Sequence, residues 1–411
     1  QNAYIRPDPS PSAQDTSLAL SRQRLTIWNL SKMNRKRYIF EQAKEDLRTK
    51  MVFIGGPRQV GKTTLALGLI GTSDKSSPAY LNWDAVADKK RIRNADLPFS
   101  EPIIILDEIH KHKAWRGLVK GLFDKTSPTN KYIVTGSARL DFYRHGGDSL
   151  QGRYHYYRLH PLSLREVSQA PTLTDVEKLL EFGGFPEPFF RGDRRYLRRW
   201  QREYYDRVLT DDLRDLEKIT DIGKMGLLVD ELPKKVGSIL SVKSLREYLE
   251  VAHATSERWI QILERIYVCY RVAPLSGSKI RAVKKEKKLF LWDWSHVEDK
   301  GNRFENMVAS QLLKFCHFQE DTEGYKMELR FLRDVDKREI DFVVLKQGKP
   351  LFAVEVKTGE KNLSPHIGYF SSRLPIPKFY QVHLGTNDRV YHDSRSRILP
   401  WVTFCQELDM P

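Results

Sequence analysis

Nine consecutive residues carry the clearest chemistry in this chain. Gly56-Pro57-Arg58-Gln59-Val60-Gly61-Lys62-Thr63 fits G-x-x-x-x-G-K-[ST], and Thr64 follows it. At that spacing the glycines let backbone N–H groups face phosphate oxygens, and the next helix adds its N-terminus. Lys62 would reach the β and γ phosphates of ATP, and the Thr63 hydroxyl would ligate Mg2+. A second half-site follows the aliphatic run Ile103-Ile104-Ile105-Leu106. There Asp107 would hold Mg2+ through its water shell, and Glu108 would activate the attacking water. Thr135 or Ser137, ending the next apolar run, would orient that water. Arg153 is a candidate arginine finger, with Arg139 the alternative; a surface ion pair is the plainer reading of Arg153. His110 and His112 flank the acidic pair and read as solvated side chains.

A second constellation lies near the C-terminus. Asp341 opens one apolar run, and Glu355 and Lys357 stand two apart on the next, so both point to one sheet face. Glu305 lies upstream in a predicted helix, Asn302–Phe315. Carboxylates such as Asp341 and Glu355 on one sheet edge would give an oxygen site for Mg2+ or Mn2+, to which the nuclease resemblance given below adds Glu305. Such a metal polarises a scissile phosphate, and Lys357 would position water and stabilise charge. The same pattern also occurs as an ordinary charged sheet edge.

These residues need elements to position them. Apolar runs predict strands at Met51–Ile54, Ala79–Asn82, Ile103–Leu106 and Tyr132–Thr135, alternating with helical stretches up to about residue 160. That order implies a parallel sheet covered on both faces. From about 166 to 230 the pattern is helical and rich in arginine. Short helices follow, then strand-like segments at Tyr267–Val272 and Lys288–Trp292. Beyond 298 come a helix and strands at Lys326–Leu332, Glu339–Leu345 and Leu351–Val356.

The chain has 411 residues, 40% hydrophobic and 30% charged, which suits several globular units. No apolar run approaches a membrane span, and nothing at the start argues for secretion. Cys269, Cys316 and Cys405 match no metal spacing and read as reduced, buried thiols of a cytoplasmic protein. The net charge of +16 favours polyanionic partners. Arg191, Arg194, Arg195, Arg198, Arg199 and Arg202 crowd one predicted helix, interleaved with Tyr196 and Trp200. Spacings of three and four put Arg191, Arg195, Arg198 and Arg202 on one face, which would bind phosphates or else pair with Asp206, Asp211, Asp212 and Asp215. A predicted helix Thr255–Arg265, capped by Thr255, presents Arg258, Gln261 and Arg265 on one face. Residues 281–288 put five basic groups between two strands, where a winged helix has its wing.

The stretches at 56–64, Leu106–Lys111, Val134–Ser137 and Gln151–Arg153, with Leu159–Ser163 and Tyr204–Leu216, resemble the prokaryotic AAA+ ATPases of the AAA_14/DUF4143 family. Asp341, Glu355-Val356-Lys357 and Glu305 resemble the PD-(D/E)xK nuclease signature. The resemblance implies an α/β architecture. A mobile arm over 1–30 is followed by a P-loop AAA+ ATPase domain over 31–165 and a helical connector over 166–230. A winged helix over 231–297 and a restriction-endonuclease-like α/β domain over 298–411 complete it. The expected cofactors are ATP and Mg2+, with Mg2+ or Mn2+ at the nuclease site. The expected partners are DNA, or RNA, and further copies of the chain sharing ATP at subunit interfaces. Three functions compete: an ATPase coupled to a metal-dependent nuclease, an ATP-switched DNA-binding regulator with an inert nuclease fold, and an ATP-driven protein remodeler.

Overall fold

The computed structural model describes residues 36–136, 150–212, 221–275 and 287–411. The predicted arm lies outside the described residues, as do Ser137, Arg139, Asp215, Lys284 and Lys285.

Strands β1 (Met51–Gly55), β2 (Tyr80–Asn82), β3 (Ile103–Asp107), β4 (Lys131–Thr135) and β5 (Tyr154–Arg158) form one sheet in the order β2-β3-β4-β1-β5. Every neighbouring pair is parallel. β1 is buried along its whole length, and its side chains alternate between two cores: Val52 and Ile54 face one, Met51 and Phe53 the other. β5 was not among the expected strands, because Tyr-His-Tyr-Tyr-Arg has no aliphatic run. Pairing along β1 and stacking of Tyr154 on Phe53, ring centroids 4.2 Å apart, hold it in place. β4 is inserted between β1 and β3. The phosphate loop and the acidic pair therefore flank a gap into which the end of β4 projects.

Helices Leu173–Phe182, Pro186–Arg191 and Arg194–Arg207 follow, then Ile222–Glu231, Val242–Leu249 and His253–Arg265. Thr255 lies inside the last of these and not at its cap, which is Ala252. Trp200 is turned into the core, stacked on Tyr204, so it does not interleave the exposed arginines.

A hairpin, β6 (Cys269–Pro274) and β7 (Lys288–Leu291), precedes the 24-residue helix Lys300–Glu323. Beyond it lie β8 (Met327–Arg333), β9 (Glu339–Lys346), β10 (Lys349–Lys357), β11 (Phe379–His383), β12 (Arg389–Tyr391) and β13 (Ser396–Pro400). They join in the order β12-β13-β11-β10-β9-β8-β6-β7. β6 runs parallel to β8 through Ala273 and Pro274, so one sheet crosses the boundary expected near 298. A single hydrophobic core extends from Val52 and Leu65 through Trp200 and Trp259 to Phe352 and Trp401. Among the described residues no helix is long and apolar enough to cross a membrane.

Candidate functional site

The loop after β1 has the backbone that phosphate binding requires. Gly56 and Gly61 have φ of +140° and +101°, and helix Lys62–Leu69 begins directly after Gly61. A Cβ on Gly56 would stand 2.4 Å from the Leu159 carbonyl oxygen, because the chain leaving β5 donates from Leu159 N to Gly55 O. Lys62 is buried and donates to the carbonyls of Gly56 and Pro57 at 3.0 and 2.7 Å, so the loop orients its own cation.

Asp107 is the hub of the opposite wall. It accepts from Thr63 Oγ1 at 2.9 Å, from Tyr80 OH at 2.7 Å and from Thr135 Oγ1. Thr63 and Asp107 thus form an all-oxygen pair of the kind Mg2+ prefers, beside a loop shaped for phosphates. Tyr80 was missed from sequence. Burial, and then the charge of Asp107, keep its phenol protonated. Glu108 adopts left-handed backbone, φ +56°, and its carboxyl pKa is raised by burial, with Lys62 opposing and Asp107 adding. A raised pKa at a strained residue suits a proton acceptor. His110 is buried 3.7 Å from Glu108, which corrects its reading as a solvated residue, and His112 stacks on Trp83.

These groups face a cleft of about 1130 Å3 lined by Arg58, Gln59, Lys62, Thr63, Thr64, Asp107 and Glu108. Arg37, Arg191 and Arg207 line it as well, and none of them was singled out for this site from sequence. Val60 is buried and contributes its carbonyl, which accepts from Arg37 at 2.6 Å. Arg153 immediately precedes β5, and its carbonyl accepts from Met51 N at the start of β1. It therefore stands at the sheet edge opposite the phosphate loop, where its guanidinium pairs with Asp124 at 2.6 Å. Within one chain it does not face the cleft.

The loop is wired to a more distant element. Arg37 also donates through Nε to Glu166 at 2.7 Å and through a terminal nitrogen to the His160 carbonyl. Glu166 accepts further bonds from Tyr38 N at 3.0 Å, Ser163 N at 2.9 Å and Lys314 Nζ, the last on helix Lys300–Glu323. Burial would raise the Glu166 pKa, but Arg37 and Lys314 outweigh it and hold the carboxyl well below its usual range. Burial, with the Arg37 charge and against that of Glu166, brings the Lys314 ammonium down to about 8. On the same helix Asp321 pairs with Arg158 at 2.7 Å, and His317 meets His160 at 2.8 Å.

The C-terminal residues also converge. The β9–β10 register pairs Phe342 with Val354 and brings Asp341 beside β10, where Asp341 accepts from Val356 N at 2.9 Å. Lys357 pairs with Glu355 at 2.7 Å. Glu305, Asp341 and the unforeseen Glu339 meet around one cation, Lys288 Nζ, at 3.0, 3.5 and 2.5 Å respectively. Burial, then repulsion from Asp341, raise Glu305 to about 8 and Glu355 to about 7, with Lys288 and Lys357 opposing. Lys288, expected on an exposed wing, is 2% exposed. Among the described residues no group of His, Cys, Asp or Glu is arranged to hold a metal ion. Glu305 and Asp341 of the expected nuclease site do not fit a divalent ion here, because the Lys288 ammonium stands among them and Glu339, while Glu355 pairs with Lys357 and keeps its Oε2 buried without a partner among the described residues.

Outside these sites, Arg195, Arg198, Arg199 and Arg202 are exposed and make no ion pair among the described residues. Arg258, Gln261 and Arg265 form the exposed face of helix His253–Arg265. All three cysteines are buried free thiols.

Together, the parallel sheet, the phosphate loop and the acidic strand end define an ATPase domain of the P-loop class. Residues 48–168 match a family described as an AAA domain, AAA_14, which supports an ATPase of the AAA+ kind. Residues 173–297 and 300–404 match two domains of unknown function, DUF8612 and DUF4143. The uncharacterized protein Rv2008c of Mycobacterium tuberculosis is 26% identical over 249 residues, 60% of this chain and 55% of that one. The uncharacterized protein MJ1544 of Methanocaldococcus jannaschii is 22% identical over 82% of this chain and 81% of its own length. The chain thus spans only about half the length of the mycobacterial relative. Among solved structures, the Aeropyrum pernix ORC1 protein in complex with DNA has a TM-score of 0.32 and 13% identity, covering 66% of this chain and 91% of that one. A Thermotoga maritima RuvB variant has a TM-score of 0.29 and 16% identity, covering 61% and 88%.

Proposed function

We propose that this chain is an ATP-hydrolysing switch that acts on nucleic acid and relays its nucleotide state to its C-terminal domain. The observation that carries this reading is the path Val60–Arg37–Glu166–Lys314, which ties the phosphate loop to helix Lys300–Glu323 through buried charge. In hydrolysis, Lys62 would neutralise the β and γ phosphates, and Thr63 and Asp107 would hold the metal. Mg2+, when bound there, offsets the negative charge of the phosphates. Glu108 takes the proton of the attacking water, and Thr135 fixes the carboxylate of Asp107 beside it. Arg191 or Arg207 would serve as the cation from the same chain, whereas Arg153 would serve only from a second copy. Nucleic acid would meet the exposed arginine face of helix Arg194–Arg207, consistent with the +16 charge.

The test is hydrogen exchange across residues 300–323 in the ATP-bound and ADP-bound protein, wild type against Glu166→Gln. A nucleotide-dependent difference that Glu166→Gln abolishes is expected. Identical exchange in both nucleotide states of the wild type refutes the relay.

A second reading, a metal-dependent nuclease coupled to the ATPase, draws on the convergence of Asp341, Glu355 and Lys357 and requires the Lys288 ammonium to leave Asp341 and Glu305 before a metal can enter. Cleavage of plasmid, single-stranded and branched DNA and of RNA with Mg2+ or Mn2+, lost in Lys357→Ala, would establish it.

A further inference from the structure

The cluster around Glu305, Glu339 and Asp341 draws on three separate parts of the chain. Glu305 comes from helix Lys300–Glu323, Glu339 and Asp341 from β9, and Lys288 from the first residue of β7. A lysine ammonium has three N–H donors and no acceptor. Here it has three carboxylate partners, at 3.0, 2.5 and 3.5 Å. Those separations are on the scale of N–H···O contacts. Oxygen ligands close to ~2.0–2.1 Å around Mg2+, so the same oxygens would have to draw inward and the amine would have to leave.

Lys288 is held there by its backbone. β7 pairs with β6, Lys288 opposite Val272, and on its other side Val236 bridges Leu289 and Ile239 bridges Lys288. The segment 236–239 also roofs the cluster. Gly237 donates its N–H to Leu289 O at 3.1 Å, and a Cβ added to it would stand 2.9 Å from Glu305 Oε2. The strand that delivers the ammonium and the backbone that covers the carboxylates are thus one paired unit.

We infer that Lys288 is the resident cation of this cluster, fixed among Glu305, Glu339 and Asp341 as an internal counter-ion that excludes a divalent metal. The domain then has the carboxylate layout of a metal nuclease with the metal position taken by the protein itself. Asp341 ties β9 to β10 through Val356 N and to the hairpin through Lys288, whereas Glu355 and Lys357 pair with each other within β10. The inference concerns this domain alone and stands whether or not the chain hydrolyses ATP.

The experiment titrates nucleotide-free, full-length protein with Mn2+ by isothermal titration calorimetry. Four proteins are compared: wild type, Asp341→Asn, Lys288→Ala and the Lys288→Ala/Asp341→Asn double variant. Wild type and Asp341→Asn are expected to give the same isotherm, so ions bound elsewhere, for instance at Asp107, cancel. Lys288→Ala is expected to gain one saturable Mn2+ site per chain, and the double variant to lose it. A Mn2+ site in wild type that Asp341→Asn removes overturns the inference, and this comparison does not require Lys288→Ala to fold. A folded Lys288→Ala protein that gains no site overturns it equally.

Discussion

Glu166 and Lys314 form an ion pair buried on both sides across 148 residues of sequence, and it joins the phosphate-loop domain to the C-terminal domain. Removing one partner of a buried pair and leaving the other uncompensated costs about 3–5 kcal/mol. Lys314→Met leaves Glu166 with Arg37 as its remaining cation, so it should lower the denaturant midpoint by less than that, and Glu166→Gln, which strands Lys314, by more. Lys314→Met combined with Glu166→Gln should lose much less than the sum of the two single changes, because each removes the other's stranded charge. Additive losses in a double-mutant cycle would mean that the two side chains act independently.

The same pair predicts a pH dependence. Arg37, Glu166 and His160 surround the Lys314 amine, and in the folded chain it titrates at about 8, against ~10.4 for an unperturbed lysine. Between those values the unfolded chain binds more protons than the folded one, so this amine makes stability rise with pH. Below pH 8 both states are protonated and the burial penalty is fully present. Melting temperatures measured from pH 7.5 upward should show a rising component in wild type that is missing in Lys314→Met. Parallel profiles for the two proteins would contradict this.

At the nucleotide site, Lys62→Ala should abolish tight ATP binding, since the loop loses the cation it orients through Gly56 and Pro57. Glu108→Gln should retain ATP while hydrolysing it at least ~100-fold more slowly, the range expected when a general base is removed. Steady-state hydrolysis and fluorescent-nucleotide affinity measure the two effects separately. Wild-type turnover by Glu108→Gln would remove Glu108 from the role of base.

On the nucleic-acid side, replacing Arg195, Arg198, Arg199 and Arg202 together by Ala should weaken DNA binding. Its salt dependence should flatten by roughly one unit of slope for each phosphate that an arginine no longer neutralises. All four are exposed, so folding should survive. An unchanged slope would place nucleic acid on another face.

The phosphate loop was legible in the sequence because its chemistry is local: one strand, one turn and one helix start carry it. Asp107 was legible for the same reason, at the end of an unbroken aliphatic run. What escaped depends on contacts between distant segments. Arg37 sits in a basic stretch and reads as surface, yet it grips the Val60 carbonyl. Lys288 ends a lysine-rich run and reads as a solvated loop, yet pairing of β7 with β6 drives it beneath Gly237. Glu339 had no spacing to mark it until the sheet brought Lys288 to it. β5 escaped because its aromatic and charged residues lack the aliphatic signature of a buried strand, although it pairs with β1 along its whole length at the sheet edge.

Tyr80 gives the last prediction. It lies on β2, level with Ile105 of the neighbouring β3, and from there its hydroxyl reaches Asp107 Oδ2 at 2.7 Å. Thr63 reaches that same oxygen at 2.9 Å, and Thr135 holds the other one. The phenol thus shares an oxygen with Thr63 at the cleft wall and helps fix the rotation of the carboxylate expected to hold Mg2+. Loss of such a supporting partner commonly lowers metal affinity by ~10–100-fold. Tyr80→Phe keeps the ring that packs in the core, so the fold should be retained. Its ATP affinity in the presence of Mg2+ should fall by about tenfold or more, while its affinity in EDTA should match wild type, since Lys62 and the loop amides are untouched. Equal losses with and without Mg2+ would show that Tyr80 supports the phosphate loop itself and not the metal-holding carboxylate.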